Sequence, residues 1–181
     1  DVYVDTDFAG CKETRRSTSG GVAMLGGCCI KHWSKTQGTI SLSSGEAELH
    51  GIAHGAAQAL GIQSVMKDAG WKVEVHLHSD ATAAIGIARR KGLGKIRHLD
   101  TTDLWIQDKI RSKKMQLSKV LGTEKMADVM TKYVEKKIMD AALAKYERNT
   151  QPCRQHIIFL TPYPQVAILS ESQRLAHALQ L

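Results

Sequence analysis

Apolar and polar positions near the start of the chain alternate. In "DVYVDTDFAG", Val2, Tyr3, Val4 and Phe8 mark a strand over about residues 1–6. The polar loop "GCKETRRSTSGG" follows, then two further strand patterns, "GVAMLGG" and "CIKHWSKT", joined at Gly26-Gly27. Three strands with short links predict an antiparallel meander. The period then changes. Leu49, Ile52, Ala53, Ala56, Ala57 and Leu60 recur at helical spacing behind Ser43 and Glu46, which are placed as a capping box. This helix is expected to run to about Asp68 and to stop at Gly70.

Beyond it, "VEVHLHS" alternates as a fourth strand and "DATAAIGIARRKG" reads as a short helix from Asp80 to Gly92. "RHLDTTDLWIQDKIRSKK" reads as another helix, with Leu99, Ile106 and Ile110 inward. "MQLSKVLG" is a fifth strand, and "TEKMADVMTKYVEKKIMDAALAKY" a last helix with Thr123 as its cap. The order βββαβα(α)βα requires an α/β fold with a mixed, helix-covered sheet. Residues from about 149 differ in kind: "QPCRQHIIFLTPYPQVAILSESQRLAHALQL" holds all three prolines of the chain and no Gly or Lys. The predicted organisation is therefore a domain over 1–148 and an appended segment over 149–181 that is not part of it.

Composition narrows the class. A chain of 181 residues, 43% hydrophobic and 24% charged, fits one ordinary globular core. No apolar run approaches the ~20 residues of a membrane-spanning helix. The chain starts inside its first strand without Met, as a piece cut from a longer polypeptide would. The four cysteines lack metal-site spacing and read as reduced thiols. Net charge is +7, with basic clusters at Lys12, Arg15 and Arg16, at Arg89 to Arg97, and at Lys109 to Lys114. Such clusters suit a phosphate backbone, although solvated loops and helix faces carry similar charge.

Against this frame four acids stand out. Asp5 ends the first strand, Glu48 lies early on the first helix near its buried face, and Asp80 sits where the fourth strand hands over to a helix. Asp128 falls in the first turns of the last helix. If the first and fourth strands are parallel neighbours, Asp5 and Asp80 meet at one sheet edge, where α/β folds place functional groups. Clustered carboxylates call for a hard divalent cation, and paired ions ~3.5–4 Å apart suit phosphodiester displacement. Each acid also has a plain structural explanation. Asp80 alone is more simply a helix cap, Glu48 a complement to the helix dipole, and Asp128 an i,i+4 partner of Lys132. Spacing does not decide between Asp5 and Asp7.

The stretches "VDTDFAG", "RRSTSGG", "WSKTQGTISLSSGEAEL", "LHSDATAAI", "KIRHLD" and "EKMADVMTK", in that order over residues 1–133, resemble the ribonuclease H domain of copia-type retrotransposon polyproteins. The resemblance implies a five-stranded mixed sheet of order 3-2-1-4-5 with helices on both faces. It also implies hydrolysis of the RNA strand of an RNA–DNA hybrid with two Mg²⁺ ions, Mn²⁺ being an alternative, giving 5′-phosphate and 3′-hydroxyl ends. Aligned position by position, the catalytic and metal-binding set falls on Asp5, Glu48, Asp80 and Asp128. Substrate contacts fall on Ser43, Ser44, Gly45 and Thr82, with Ser17 and Thr18 of the "RRSTSGG" loop as further candidates or as plain turn residues. Hydroxyls of this kind suit 2′-OH recognition. Two features depart from many relatives: "VLGTEKMAD" offers no His before the last acid, and "RRKGLGK" replaces a long basic protrusion.

The resemblance further implies a reverse transcriptase domain in the same polyprotein, a monomeric isolated domain, and a cytoplasmic virus-like particle or nuclear setting. Two readings compete with the enzyme. One is a decayed, catalytically silent fragment that only binds nucleic acid, and the other is an integrase-type or junction-resolving nuclease on the same fold.

Overall fold

The computed structural model describes residues 1–92, 94, 101–121, 126–132, 134–137, 139–140 and 144, and for 101–103 the backbone only. The expected boundary near residue 148, the appended segment, Leu99 and the Thr123 cap lie outside these residues.

Strands β1 (Val2–Asp7), β2 (Thr18–Leu25) and β3 (Cys28–Thr36) form the antiparallel meander. Helix α1 spans Ser44–Asp68 and leads to β4 (His76–Ser79). Helix α2 (Thr82–Arg89), helix α3 (Thr101–Arg111) and β5 (Gln116–Lys119) follow. Strand order is β3-β2-β1-β4-β5, with β1–β4 and β4–β5 parallel. This mixed order, with the first strand central, is the ribonuclease H-like topology. Among the described residues no helix is long and apolar enough to cross a membrane.

The start of α1 follows from its sequence. The Ser43 hydroxyl accepts from the Glu46 amide at 3.2 Å, satisfying one of the orphan donors of the first turn. Glu46 reaches back one residue further than a capping box predicts: its carboxylate accepts from the Leu42 amide at 2.8 Å. The face of α1 that packs on the sheet includes Leu49, Ile52, Ala53 and Ala56, whereas Ala57 is exposed. A second buried row, Ala47, Gly51, Gly55 and Ala59, runs at i,i+4 spacing beside them. These small residues seat the helix tightly on β1. A Cβ on Gly51 would lie 2.2 Å from Thr6 Oγ1. The core groups this face with Val2, Val4, Leu77, Ile85, Ile106 and Leu117.

Two expectations are corrected. Asp128 does not sit in the first turns of a continuous helix from Thr123: it opens a single 3₁₀ turn, Asp128–Met130. The Asp128 carbonyl accepts from the Thr131 and Lys132 amides, both at 3.1 Å, which closes the turn on itself. The thiols are not all reduced either, since Cys28 is disulfide-bonded while Cys11 and Cys29 are free.

Candidate metal centre

Register carries the acids together. On the parallel pair, Val2 faces Leu77 and Tyr3 faces His78. Two residues further along both strands lie Asp5 and Asp80. Helix α1, seated closely on β1, brings Glu48 over the same edge. Ligand atoms of Asp5, Glu48 and Asp80 all lie within 4.8 Å of one another. Asp5 is buried (2% exposed) and the other two are half-buried.

The plain reading of Asp80 as a helix cap does not describe this structure. Ala81 is the N-cap of α2 and makes no side-chain capping bond, and the Ser79 hydroxyl accepts from the Ala81 amide at 3.2 Å. Of Asp5 and Asp7, it is Asp5 whose carboxylate lies in the close trio. The Asp7 carboxylate accepts from the Thr18 amide at 2.7 Å and so ties the two ends of the β1–β2 loop.

Asp128 is outside the tight trio but adjoins it. Its Oδ1 lies 3.0 Å from Lys132 Nζ, the i,i+4 pair read from the sequence. The same ammonium reaches Asp5 Oδ2 at 3.5 Å, and the Thr131 hydroxyl donates to that oxygen. Sequence reasoning did not single out Thr131 as a neighbour of Asp5, nor Lys132 as a second contact to it. Both come from the turn after Asp128, and only packing of that turn on the sheet reveals them.

Gly20 makes that packing possible. It faces Asp5 across β1–β2, and a Cβ there would lie 2.6 Å from Thr131 Cγ2 and 2.7 Å from Met130 Cβ. Gly20→Ala is therefore expected to push the turn outward and to lower any hydrolytic rate by about ten- to a hundredfold, as loss of a supporting shell does. The check is the cleavage rate of the variant beside its melting temperature.

The remaining predicted residues divide in two. Ser43, Ser44 and Thr82 are exposed at the N-terminal ends of α1 and α2, which meet where Gly45 approaches the Ala83 Cβ. They flank the acid edge. Ser17 is fully buried and its hydroxyl accepts from the Ala9 amide at 3.1 Å, so it holds the β1–β2 loop from inside. Thr18 starts β2 and gives its amide to Asp7. That loop exposes Lys12, Arg15 and Arg16.

The donor set suits a hard divalent cation. It is all carboxylate oxygen, and two oxygens bound to one Mg²⁺ at about 2.0–2.1 Å lie at most ~4.2 Å apart. Of three oxygens on one octahedral ion only one pair can be trans, the other pairs lying ~3 Å apart, so the trio at up to 4.8 Å would close in on a bound ion or spread over two.

Over 134 residues, 73% of the chain, it is 25% identical to the Retrovirus-related Pol polyprotein from transposon TNT 1-94 of Nicotiana tabacum. The chain is homologous to part of a retrotransposon Pol polyprotein. It spans only 10% of that polyprotein's length. A 58-residue stretch is 49% identical to an uncharacterized mitochondrial protein of Arabidopsis thaliana, 24% of which is covered. A stretch of equal length is 43% identical to secreted RxLR effector protein 161 of Plasmopara viticola, 41% of which is covered. No family model matches the chain. Among solved structures, the N-terminal ribonuclease H domain of a Mycobacterium tuberculosis protein, fused to maltose-binding protein, aligns with 78% of this chain and 94% of its own. The TM-score is 0.48 at 17% identity.

Proposed function

We propose that this segment of Pol is a metal-dependent ribonuclease H of the copia type, hydrolysing the RNA strand of RNA–DNA hybrids during reverse transcription. The observation that carries the proposal is the convergence of Asp5, Glu48 and Asp80 within 4.8 Å, with Asp128 beside them. In this reading Asp5, Glu48, Asp80 and Asp128 hold two Mg²⁺ or Mn²⁺ ions. The chemistry supplied by bound ions is activation of water and neutralisation of the departing 3′ oxygen. The protein's own part is positioning. Buried Asp5 is fixed by the Thr131 hydroxyl, and Glu48 is held in place by the close seat of α1. Ser43, Ser44, Gly45 and Thr82 offer hydroxyl and amide groups at the rim for the RNA strand, where a 2′-OH distinguishes it from DNA.

Loop residues Lys12, Arg15 and Arg16 are exposed and meet the phosphate backbone. Hybrid affinity is accordingly expected to fall by about a hundredfold between 50 and 200 mM salt, as displacement of about four counterions gives. An R15A/R16A double variant should flatten that slope. A filter-binding titration at several salt concentrations reads both effects.

The segment would act as a monomeric domain beside a reverse transcriptase in the same polyprotein, in a cytoplasmic virus-like particle or the nucleus, with residues 149–181 outside the catalytic unit. Incubation with labelled RNA–DNA hybrid, duplex DNA and duplex RNA, each with Mg²⁺, Mn²⁺ or EDTA, tests the function. Cation-dependent cutting confined to the RNA of the hybrid is the expected result. Hybrid binding without cutting would instead favour a silent, nucleic-acid-binding remnant.

A further inference from the structure

Lys132 occupies an unusual position for a lysine beside a candidate cation centre. Its ammonium stands between two of the four acids, 3.5 Å from Asp5 Oδ2 and 3.0 Å from Asp128 Oδ1. The Asp5 side chain is 3% exposed, the Asp128 side chain 32% and the Lys132 side chain 47%. One positive charge thus reaches from solvent into a buried acidic edge. A carboxylate in that setting is costly without a positive neighbour. The Lys132 stem leaves the same turn that delivers Thr131, so the turn that supplies the fourth acid also supplies its counter-charge.

We propose that Lys132 is a resident cation that neutralises Asp5 and Asp128 and must swing away before a divalent ion enters between them. The inference rests on the metal-centre reading above and concerns its regulation. A divalent ion sharing Asp5 and Asp128 would stand within a few ångströms of the ammonium, and at that range like charges in a partly buried site repel strongly. The two occupants exclude each other. The half-exposed, four-carbon side chain has a route outward to solvent or to a bound phosphate. Entry of the second ion is then competitive with a side chain of the protein itself, which raises the divalent concentration the site needs.

The test is Mn²⁺ binding by isothermal calorimetry on the full chain, with melting temperatures in EDTA and in Mg²⁺. Lys132→Met, and Lys132→Gln in case the first folds poorly, should tighten the weaker Mn²⁺ event by about tenfold. Both should melt lower than the parent in EDTA and show a larger rise with Mg²⁺. Lys132→Arg, which keeps the charge, should bind as weakly as the parent. Disruption of structure alone would weaken binding, so tightening is specific to competition. Unchanged or weaker Mn²⁺ binding in folded Met and Gln variants overturns the proposal. Asp80→Asn in the same calorimeter separates the two readings. If that change leaves Mn²⁺ binding intact, the metal centre itself falls, and with it this inference. If it abolishes binding while the Lys132 variants stay at parent affinity, only the inference falls.

Discussion

Asp80→Asn is expected to reduce cleavage of hybrid RNA by at least about a thousandfold while leaving the domain folded. Loss of an outer-shell partner of a metal ligand typically costs ten- to a hundredfold, and loss of a direct carboxylate ligand costs more. The amide is nearly the same shape as the acid, and Asp80 does not cap α2, so no helix start is lost. Stability should move the other way in EDTA. Like charges at 4.8 Å repel by about 3 kcal/mol at an effective dielectric constant near 20, and by less where water screens a half-buried group. Removing one of three should therefore raise the melting temperature without metal by some degrees, and should shrink the added stability Mg²⁺ confers, since binding to the folded state is what stabilises it. Cleavage at the parent rate in this variant would remove Asp80 from the site.

Gly51→Leu is expected to be the most damaging single change to the fold among those considered. Its side chain would enter the space between α1 and β1, where a Cβ alone already meets Thr6 Oγ1 at 2.2 Å. Thr6 is a buried, β-branched neighbour and cannot simply move aside. Overpacking of this kind costs about 3 kcal/mol or more, roughly 10 °C in melting temperature for a domain of this size. Gly51→Ala sharpens the argument, because helix propensity favours Ala over Gly by about 1 kcal/mol. A net loss of stability in Gly51→Ala would show that contact outweighs propensity. Gly61→Ala, on the same helix with nothing near its Cβ, should instead gain about 0.5–1 kcal/mol. Thermal or urea melts of the three variants check the set, and opposite signs at positions 51 and 61 are the outcome required. Gly51→Leu should also lower catalysis, since Glu48 rides on the displaced helix.

Legibility in the sequence followed the range of the interactions. The start of α1 was readable because Ser43 and Glu46 act on amides within four residues. Its small-residue row was not, because glycine carries no hydropathy and is recognised as a packing position only once β1 lies against it. The meander was plain from alternation, while the parallel pairing of β1 with β4, which brings Asp80 to Asp5, came from family resemblance and then from observed register. Asp5 and Asp7 lie two apart on one strand face, so periodicity treats them alike. What separates them is a loop bond to Thr18 from a residue eleven positions away. Asp128 stood out as an acid early in a predicted helix and was joined to the set by the resemblance, but its 3₁₀ turn, and the Thr131 hydroxyl that meets Asp5 from it, depend on packing of that turn against the sheet.

The bond from Thr131 to Asp5 joins residues 126 positions apart. Every strand of the sheet has been synthesised by residue 119, well before that partner exists. In chain order Asp128 and the Thr131 hydroxyl that meets Asp5 follow all five strands, so a chain truncated after residue 119 would keep every strand of the sheet and lack both.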